Sequence, residues 1–268
     1  DQGLAQAQEL GFFGRVADLF YRWELLGGEA PADGPLILVA NHPNGLVDPV
    51  MVDRVAGRRF RMLAKAPIFS IPVLGWMARS VGAIPVYRKV DGADTAQNEA
   101  AFAAVHEALA AGDVVFLFPE GISHNEPELQ PLKTGAARMA LGAEAERGYG
   151  LGVRVVPVGI TYRDKTRFGS AAALEIGAPI AAADFAAQHR VDGGGAVEAL
   201  TAAIEQGVRR LVINLEDWED LPRVRLAEKI RGERDAHVVK RLRGMAATGR
   251  ARQEQDPAAI EALRQRLT

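Results

Sequence analysis

The sequence contains no cysteine. Disulfide bonds, thiolate catalysis and cysteine-bound zinc are therefore excluded. No apolar run approaches the length that crosses a bilayer, and no secretory leader is recognisable. Strong net charge is lacking too, since a formal charge of −2 gives no overall signature of nucleic-acid binding. These absences leave local motifs to indicate the function.

Acidic residues are missing from a long internal stretch, between Arg54 and Val90. The basic residues of that stretch are Arg54, Arg58, Arg59, Arg61, Lys65, Arg79, Arg88 and Lys89. If the fold gathers half of them on one side, they form a face that attracts anions. The stretch therefore favours an anionic ligand or surface, although solvated helix ends would also account for it.

The order of apolar and polar segments predicts the fold class. The chain of 268 residues is 48% hydrophobic, enough for one sizeable core. Short apolar runs alternate with helical patterns, which predicts an α/β fold with a largely parallel sheet flanked by helices. The predicted strands are 36–40, 60–64, 82–89, 113–118, 153–160 and 174–180. The predicted helices between them are 49–56, 95–111 and 133–147, and segment 67–80 fits a buried helix or the wall of a pocket.

The N-terminal segment predicts an amphipathic helix over residues 4–26. Its apolar stripe, at spacings of three and four, consists of Phe12, Val16, Leu19, Phe20 and Trp23. Arg15 and Arg22 lie beside the stripe, which is typical of a helix at a membrane interface. A helix that packs the same stripe on the core is the equal alternative.

The C-terminal part of the chain is helical and charged. Segments 199–212 and 221–245 predict two helices, and Gly193–Gly195 is the best internal break. We therefore expect three parts: an N-terminal helical element over 1–30, a catalytic α/β domain over 31–195, and a helical extension over 196–268 packed on the same domain.

The first polar motif directly follows the predicted strand 36–40. Residues 41–45 have the composition of a turn, and Asp48 stands near the start of the next helix. The turn can fold the Asp48 carboxylate back onto the His42 imidazole. A histidine that is oriented in this way and made more basic is suited to act as a general base. A turn histidine beside an N-capping aspartate is the structural alternative.

The second polar motif follows the predicted strand 113–118. It contains Glu120 and Gly121, and then Ser123 and His124. Two strand ends that carry polar groups predict one shared crevice at the edge of the sheet. Ser123 lacks the surroundings of a nucleophilic serine, and Glu120 could instead cap a helix.

Four blocks in a fixed order make the sequence resemble the glycerolipid acyltransferases, also called the lysophospholipid acyltransferase superfamily. The blocks are Asn41–Asp48, Gly82–Arg88, Phe118–Gly121 and Val155–Ile160. Each block alone is a weak signal, but the ordered set, which extends over 36–162, is specific.

The resemblance implies transfer of a fatty acyl group from acyl-CoA or acyl-carrier protein. The acceptor would be a hydroxyl group of glycerol 3-phosphate or lysophosphatidic acid, in phospholipid synthesis. His42 would be the general base and Asp48 the residue that orients it. Neither a metal nor a cofactor nor an acyl-enzyme intermediate is expected.

The resemblance also implies which residues bind the substrates. Arg88, assisted by Lys65 and Lys133, would hold the acceptor phosphate, because cationic side chains bind phosphate oxygens. Glu120, with Gly121 next to it, would hydrogen-bond the polyol.

Two departures from the usual family pattern are present. Five residues separate His42 from Asp48, where the family usually has four, and this longer turn is similar to that of fungal glycerol-3-phosphate acyltransferases. The third block continues with Ile122, Ser123 and His124, so the arginine that is usual there is missing.

Two other functions fit the same residues. One is a metal-assisted hydrolase with four ligands: His42, Asp48, Glu120 and His124. The other is a non-catalytic lipid-binding protein of the same fold, which would not need the pair of His42 and Asp48. For the acyltransferase we expect a peripheral location on the cytoplasmic face of a membrane, contacted by the N-terminal helix, and no nucleic-acid partner.

Overall fold

The computed structural model describes residues 17–80, 82–88, 98–124, 126 and 128–212. The chain divides into two compact units, Asp1–Asn125 with Gln130–Leu211 and Glu126–Leu129 with Val212–Thr268. The helices and strands below all belong to the first unit. The predicted helix 221–245 lies outside the described residues.

Within the described residues, the strands form one mixed sheet. They are β1 (Tyr21–Gly27), β2 (Leu36–Ala40), β3 (Phe60–Lys65), β4 (Ile84–Val86), β5 (Val114–Leu117), β6 (Arg154–Tyr162), β7 (Ser170–Ile176) and β8 (Ile180–Ala181). The order across the sheet is β1-β7-β6-β2-β5-β3-β4, with β8 paired to β6. The strands from β6 to β4 are parallel, β7 is antiparallel to β6, and β1 is parallel to β7. The predicted α/β fold with a largely parallel sheet is confirmed.

Helices connect these strands. They are α1 (Asp48–Ala56), α2 (Pro72–Ser80), α3 (Asn98–Ala110), α4 (Gly135–Glu146), α5 (Ala186–Val191) and α6 (Gly193–Leu211). Two 3₁₀ turns cover Ala66–Ser70 and Ala182–Phe185. The predicted helices and strands between β2 and β6 agree with these bounds to within a few residues, whereas β7 begins and ends four residues earlier than predicted.

The core lies around the central strands. Every residue of β2 and β5 is buried, and the two strands are neighbours in the sheet. Parallel strands covered on both faces need continuous apolar runs, which is what these two segments provide. Members of the core cluster at these strands are Leu36, Leu38, Met51, Phe116, Val156 and Val158. This packing holds the carboxyl ends of β2, β5 and β6 side by side at one edge of the sheet.

The predicted N-terminal helix is wrong from Tyr21 onward. Residues 17–20 are helical, but Tyr21–Gly27 is an edge strand paired with β7. Tyr21 and Trp23 point to the same face of the strand, where their rings pack at 5.5 Å between centroids. A spacing of two along the strand competes with the spacing of three and four that predicted a helix. Phe12 and Val16 lie outside the described residues.

The predicted break at Gly193–Gly195 is also wrong, because these residues form the first turn of α6. The Asp192 carboxylate accepts a hydrogen bond of 2.9 Å from the Gly195 N–H. An aspartate in this position satisfies donors that the first helical turn leaves free, and so a helix can begin at glycines. The predicted helix 199–212 is the continuation of the same element.

Segment 67–80 is neither one helix nor buried. It forms the 3₁₀ turn Ala66–Ser70 and then α2. Val73 and Trp76 are 66% and 52% exposed, so α2 presents apolar side chains to the outside. The low number of charges predicted burial, but a short helix at the edge of the sheet has only one covered face.

Gly159 tests the packing of α6 on the sheet. A Cβ at this position would overlap the carbonyl oxygen and the Cβ of Leu211. We expect Gly159→Ala to lower the free energy of unfolding by roughly 1–3 kcal/mol, because overpacking forces the backbone to shift. Urea denaturation measures the change. Gly135→Ala is the control, since a Cβ there meets nothing within 4 Å. Equal stability of the two variants would contradict the close approach of α6.

Candidate active site

The two polar motifs meet at one edge of the sheet. β5, β2 and β6 are parallel neighbours, so their carboxyl ends lie together. His42 follows β2, Glu120 follows β5, and Tyr162 ends β6. The two strand ends therefore lie side by side as predicted, at the edge where α/β sheets commonly bind ligands.

His42 and Asp48 form a hydrogen-bonded pair. Nδ1 of His42 lies 3.0 Å from Oδ2 of Asp48, whose side chain is fully buried at the start of α1. The same carboxylate oxygen accepts the Asn44 N–H at 2.7 Å, and the Asn44 carbonyl accepts the Asp48 N–H at 3.1 Å. The longer turn folds back as predicted, and its backbone holds the carboxylate under the imidazole.

Tyr162 donates to the second oxygen of the same carboxylate. Its hydroxyl lies 2.6 Å from Oδ1 of Asp48. Burial raises the pKa of Asp48, whereas the bonds from His42, Tyr162 and Asn44 oppose this rise. Burial and the nearby carboxylate also raise the pKa of Tyr162, so its hydroxyl keeps its proton and remains a donor. Asp48 is thus held in one orientation by donors on both oxygens.

Phe118 fixes the plane of the histidine ring. The His42 and Phe118 rings are stacked, with centroids 3.6 Å apart and planes 10° apart. Phe118 packs in turn on Phe116 of β5 at 4.6 Å. Because Nδ1 faces Asp48, Nε2 is the ring nitrogen left to exchange a proton with a bound molecule.

Glu120 joins the two loops of the site. It is 2% exposed, and its Oε1 accepts the backbone N–H of His42 at 3.0 Å. Its Oε2 accepts the Gln130 N–H at 2.9 Å and lies 2.5 Å from Nε2 of His124. Glu120 does not cap a helix, and its first role is to position the His42 turn. His124 is therefore part of this arrangement.

The predicted phosphate-binding residues surround the Glu120 loop. Arg88 donates to the carbonyl oxygen of Gly121. The Lys133 N–H donates to the Pro119 carbonyl at 2.8 Å, and its side chain passes close to Gly121. Lys65 is exposed at the end of β3, beside β4 in the sheet. The structure thus brings Arg88, Gly121 and Lys133 together and places Lys65 at the same edge.

The basic face predicted for 54–90 is only partly formed. Arg54 pairs with Asp18, and Arg59 and Arg61 pair with Asp113. Arg58 donates to the carbonyl oxygens of Gly34 and Gly112 instead. Arg58, Arg59 and Arg61 therefore stabilise connections on the amino-end side of the sheet, and the number of charges along the sequence does not reveal this. Lys89 lies outside the described residues.

A cavity of about 380 Å³ lies next to Val86 of β4. Apolar side chains line most of it, and Lys133 and Arg138 are its cationic lining residues. Arg138 also lies over the Phe102 ring, 4.9 Å from the centroid. The combination suits a ligand with an apolar body and an anionic group.

The four residues proposed as metal ligands form two separate pairs, His42 with Asp48 and His124 with Glu120. Among the described residues, no group of three or more His, Cys, Asp or Glu is arranged to hold a metal ion. The geometry therefore gives the metal-assisted hydrolase no observation in its favour.

Sequence reasoning missed Asn41, Phe118 and Tyr162 as contributors to the site. The Asn41 side chain exchanges hydrogen bonds of 2.9 Å and 2.7 Å with the backbone of Ile160, and so it extends the pairing of β2 with β6. All three residues lie at the end of a strand, and this position is the sequence feature that could have identified them as site residues. Their contacts depend on which strands are neighbours, which no local pattern states.

Comparison with known proteins identifies the family of the chain. Residues 26–161 match the family model described as Acyltransferase. An uncharacterized acyltransferase of Schizosaccharomyces pombe is 28% identical over 62% of this chain and 37% of its own length. Glycerol-3-phosphate O-acyltransferase 2 of Saccharomyces cerevisiae is 32% identical over 52% of this chain and 19% of its own length. A chloroplastic 1-acyl-sn-glycerol-3-phosphate acyltransferase of Brassica napus is 30% identical over 52% of this chain and 37% of its own length.

The match thus covers well under two thirds of each of these relatives. A solved structure is similar as well: the 1-acyl-sn-glycerophosphate acyltransferase PlsC from Thermotoga maritima. The TM-score is 0.55 and the identity 21%, with 85% of this chain and 81% of that chain covered. At this identity the likeness establishes the fold.

Removal of the Tyr162 hydroxyl tests its bond to Asp48. We expect Tyr162→Phe to lower the free energy of unfolding by about 1–3 kcal/mol, because a buried carboxylate oxygen loses its donor. The substitution raises the pKa of Asp48 further. The loss of stability therefore grows as the pH rises through the range in which Asp48 ionises, and it shrinks below that range.

Urea denaturation at several pH values measures this loss. Tyr149→Phe is the control, because the Tyr149 hydroxyl bonds His189 at 2.8 Å in a half-exposed position outside the site. A loss in Tyr162→Phe that equals the control at every pH would show that the bond to Asp48 contributes nothing.

Proposed function

Because this chain belongs to the acyltransferase family, we propose that it transfers an acyl group from a thioester to a hydroxyl group of glycerol 3-phosphate or lysophosphatidic acid, as a step of phospholipid synthesis. The observation that supports this most directly is the contact of 3.0 Å between Nδ1 of His42 and Oδ2 of the buried Asp48. A hydroxyl group is a poor nucleophile until a base removes its proton, and this pair supplies the base.

In the proposed step, Nε2 of His42 takes the proton of the acceptor hydroxyl while the oxygen attacks the thioester carbonyl carbon. The C–S bond of the tetrahedral intermediate then breaks, and the imidazolium returns the proton to the leaving thiolate. Asp48 stabilises the imidazolium through Nδ1. Backbone N–H groups of the two loops are the candidates for stabilising the oxyanion. The reaction needs neither a metal ion nor an acyl-enzyme.

The acceptor phosphate would bind to Arg88, with Lys65 and Lys133 adding positive charge. This assignment rests on the position of Arg88 against the Gly121 carbonyl, at the rim of the crevice that holds His42. The direct contact of Glu120 with the polyol stays a prediction, since both of its oxygens already accept protein hydrogen bonds. Its effect on the acceptor would come mainly through the position of His42.

The acyl donor would be acyl-CoA or acyl-carrier protein, both of which carry a phosphopantetheine thioester. The cavity beside Val86 and Lys133 is the proposed place for part of this donor, because it joins apolar walls to cationic side chains. For the whole protein we propose a peripheral location on the cytoplasmic face of a membrane. Within the described residues, no helix is long and apolar enough to cross one.

Replacement of His42 tests the general base. We expect His42→Ala to lower the rate of acyl transfer by about a hundredfold or more, as loss of a general base does. Thiol release from acyl-CoA with glycerol 3-phosphate or a lysolipid measures the rate, and thermal melting shows that the fold persists. His189→Ala is the matched control outside the site. A folded His42→Ala variant with near-normal turnover would remove His42 from the chemistry.

Replacement of Arg88 separates the two substrates. We expect Arg88→Ala to raise the KM for glycerol 3-phosphate, or to lower the kcat/KM for it, while the KM for the acyl donor stays within about twofold. Arg88→Lys should recover part of the loss, because a single charge replaces a forked donor. Arg209→Ala, which removes a partner of Glu205 on α6, is the control. An unchanged dependence on the acceptor would place its phosphate elsewhere.

A further inference from the structure

Exposed large apolar side chains concentrate at the edge of the sheet that carries His42. They lie on the loops at the carboxyl ends of the parallel strands and on the exposed side of α2. We call this set the apolar rim: Leu46, Ile71, Val73, Trp76, Ile122 and Phe168. Each member is between 46% and 66% exposed. A set of this size around a single site indicates an interaction surface, whereas isolated exposed apolar residues do not.

The topology explains why these residues share one edge. Leu46 lies in the turn between His42 and Asp48, and Ile122 follows Glu120 directly after Gly121. Ile71 belongs to the connection that leaves β3 at its carboxyl end. Phe168 precedes β7, and because β7 is antiparallel to β6, the beginning of β7 lies at that same edge.

The α2 part of the rim is rigid. A Cβ on Gly75 would overlap the backbone carbonyl of Phe69, so a glycine allows α2 to lie directly on the 3₁₀ turn before it. The guanidinium of Arg79 donates to the same Phe69 carbonyl at 2.9 Å. Val73 and Trp76 are therefore held outward by the backbone, and their exposure is a built feature of the fold.

Positive charge accompanies the rim. Lys65 is exposed directly before the 3₁₀ turn. The loop that leads to Phe168 adds Arg163 and Arg167, both exposed, and its Asp164 is bonded to Thr166 of its own turn. The carboxylates nearest the catalytic histidine, Asp48 and Glu120, are buried. The edge thus combines apolar side chains with an excess of cations.

We propose that this edge binds the surface of an anionic lipid bilayer, with the apolar rim inserted among the lipid headgroups and His42 facing the membrane. An exposed tryptophan beside basic residues is the pattern that favours the interface between lipid and water. The inference rests on the proposed function in one respect, that its substrates are held in or near lipid. It adds a second contact to the one predicted for the N-terminal segment, of which Tyr21 and Trp23 are part of the sheet.

Vesicle sedimentation tests the proposal on the full chain. The probes are vesicles of phosphatidylcholine alone and of phosphatidylcholine with a quarter phosphatidylglycerol. The double variant V73S/W76S should reduce the partition coefficient on the anionic vesicles by at least about tenfold, because two exposed apolar side chains are lost. The control L25S/V191S alters two side chains that are 57% and 91% exposed but lie outside the rim. Equal losses in the two double variants would overturn the proposal.

Brominated lipid gives a second measurement that does not depend on the fold of a variant. Vesicles that carry bromine on their acyl chains should quench the fluorescence of Trp76 in the unmodified protein. W76F should bind the same vesicles about equally and lose most of the quenching. If W76F and the unmodified protein are quenched to the same extent, Trp76 does not enter the lipid and the proposal fails.

Two further measurements distinguish membrane binding from the proposed chemistry and from dimer formation. Turnover with glycerol 3-phosphate and a short-chain acyl-CoA should be unchanged in V73S/W76S, so failure of the proposed chemistry and failure of membrane binding are distinguishable. Sedimentation velocity measures the oligomeric state. If V73S/W76S dissociates a dimer and vesicle binding is unaffected, the rim contacts a second copy of the chain and the lipid proposal is wrong.

Discussion

The buried carboxylate of Asp48 is the group through which the fold positions the site. It has no exposure to solvent, yet it accepts hydrogen bonds from His42, Asn44 and Tyr162. Those donors come from the β2 turn and from the end of β6, so one charged group connects the start of α1 with two neighbouring strands. Burying a carboxylate is costly unless its oxygens are satisfied. The same bonds that offset this cost also fix the imidazole above it.

A second buried carboxylate performs the corresponding task on the other side of the histidine. Glu120 binds the His42 backbone N–H with one oxygen and the Gln130 N–H with the other. His42 is therefore fixed at its backbone by Glu120, at its ring nitrogen by Asp48 and on its ring face by Phe118. A histidine restrained in three directions loses little entropy when a substrate binds, which is the condition for efficient proton transfer.

The sequence was sufficient for the central sheet and for the contact between His42 and Asp48, and it was insufficient at the edges of the sheet. β2 and β5 are short, continuous apolar runs that end in turn residues. Such runs are typical of buried strands, and so both strands could be predicted. His42 and Asp48 are close together in the sequence, so their spacing is enough to predict that the two side chains meet. Tyr162 lies more than a hundred residues away from its partner, and only the strand order brings them together. β1 was predicted as helix because its aromatic residues satisfy two periodicities, and its pairing with β7 decides between them.

The position of β1 also bears on how the chain is made. Arg22 in β1 donates to the carbonyl of Gly169, 147 residues further along the chain. Contacts of such large sequence separation form late, because the loop they close must be ordered first. A ribosome releases the N-terminal residues of this unit long before β7 exists. The β1 segment therefore remains unpaired until β7 has been made, and during that interval its uncovered aromatic side chains favour aggregation.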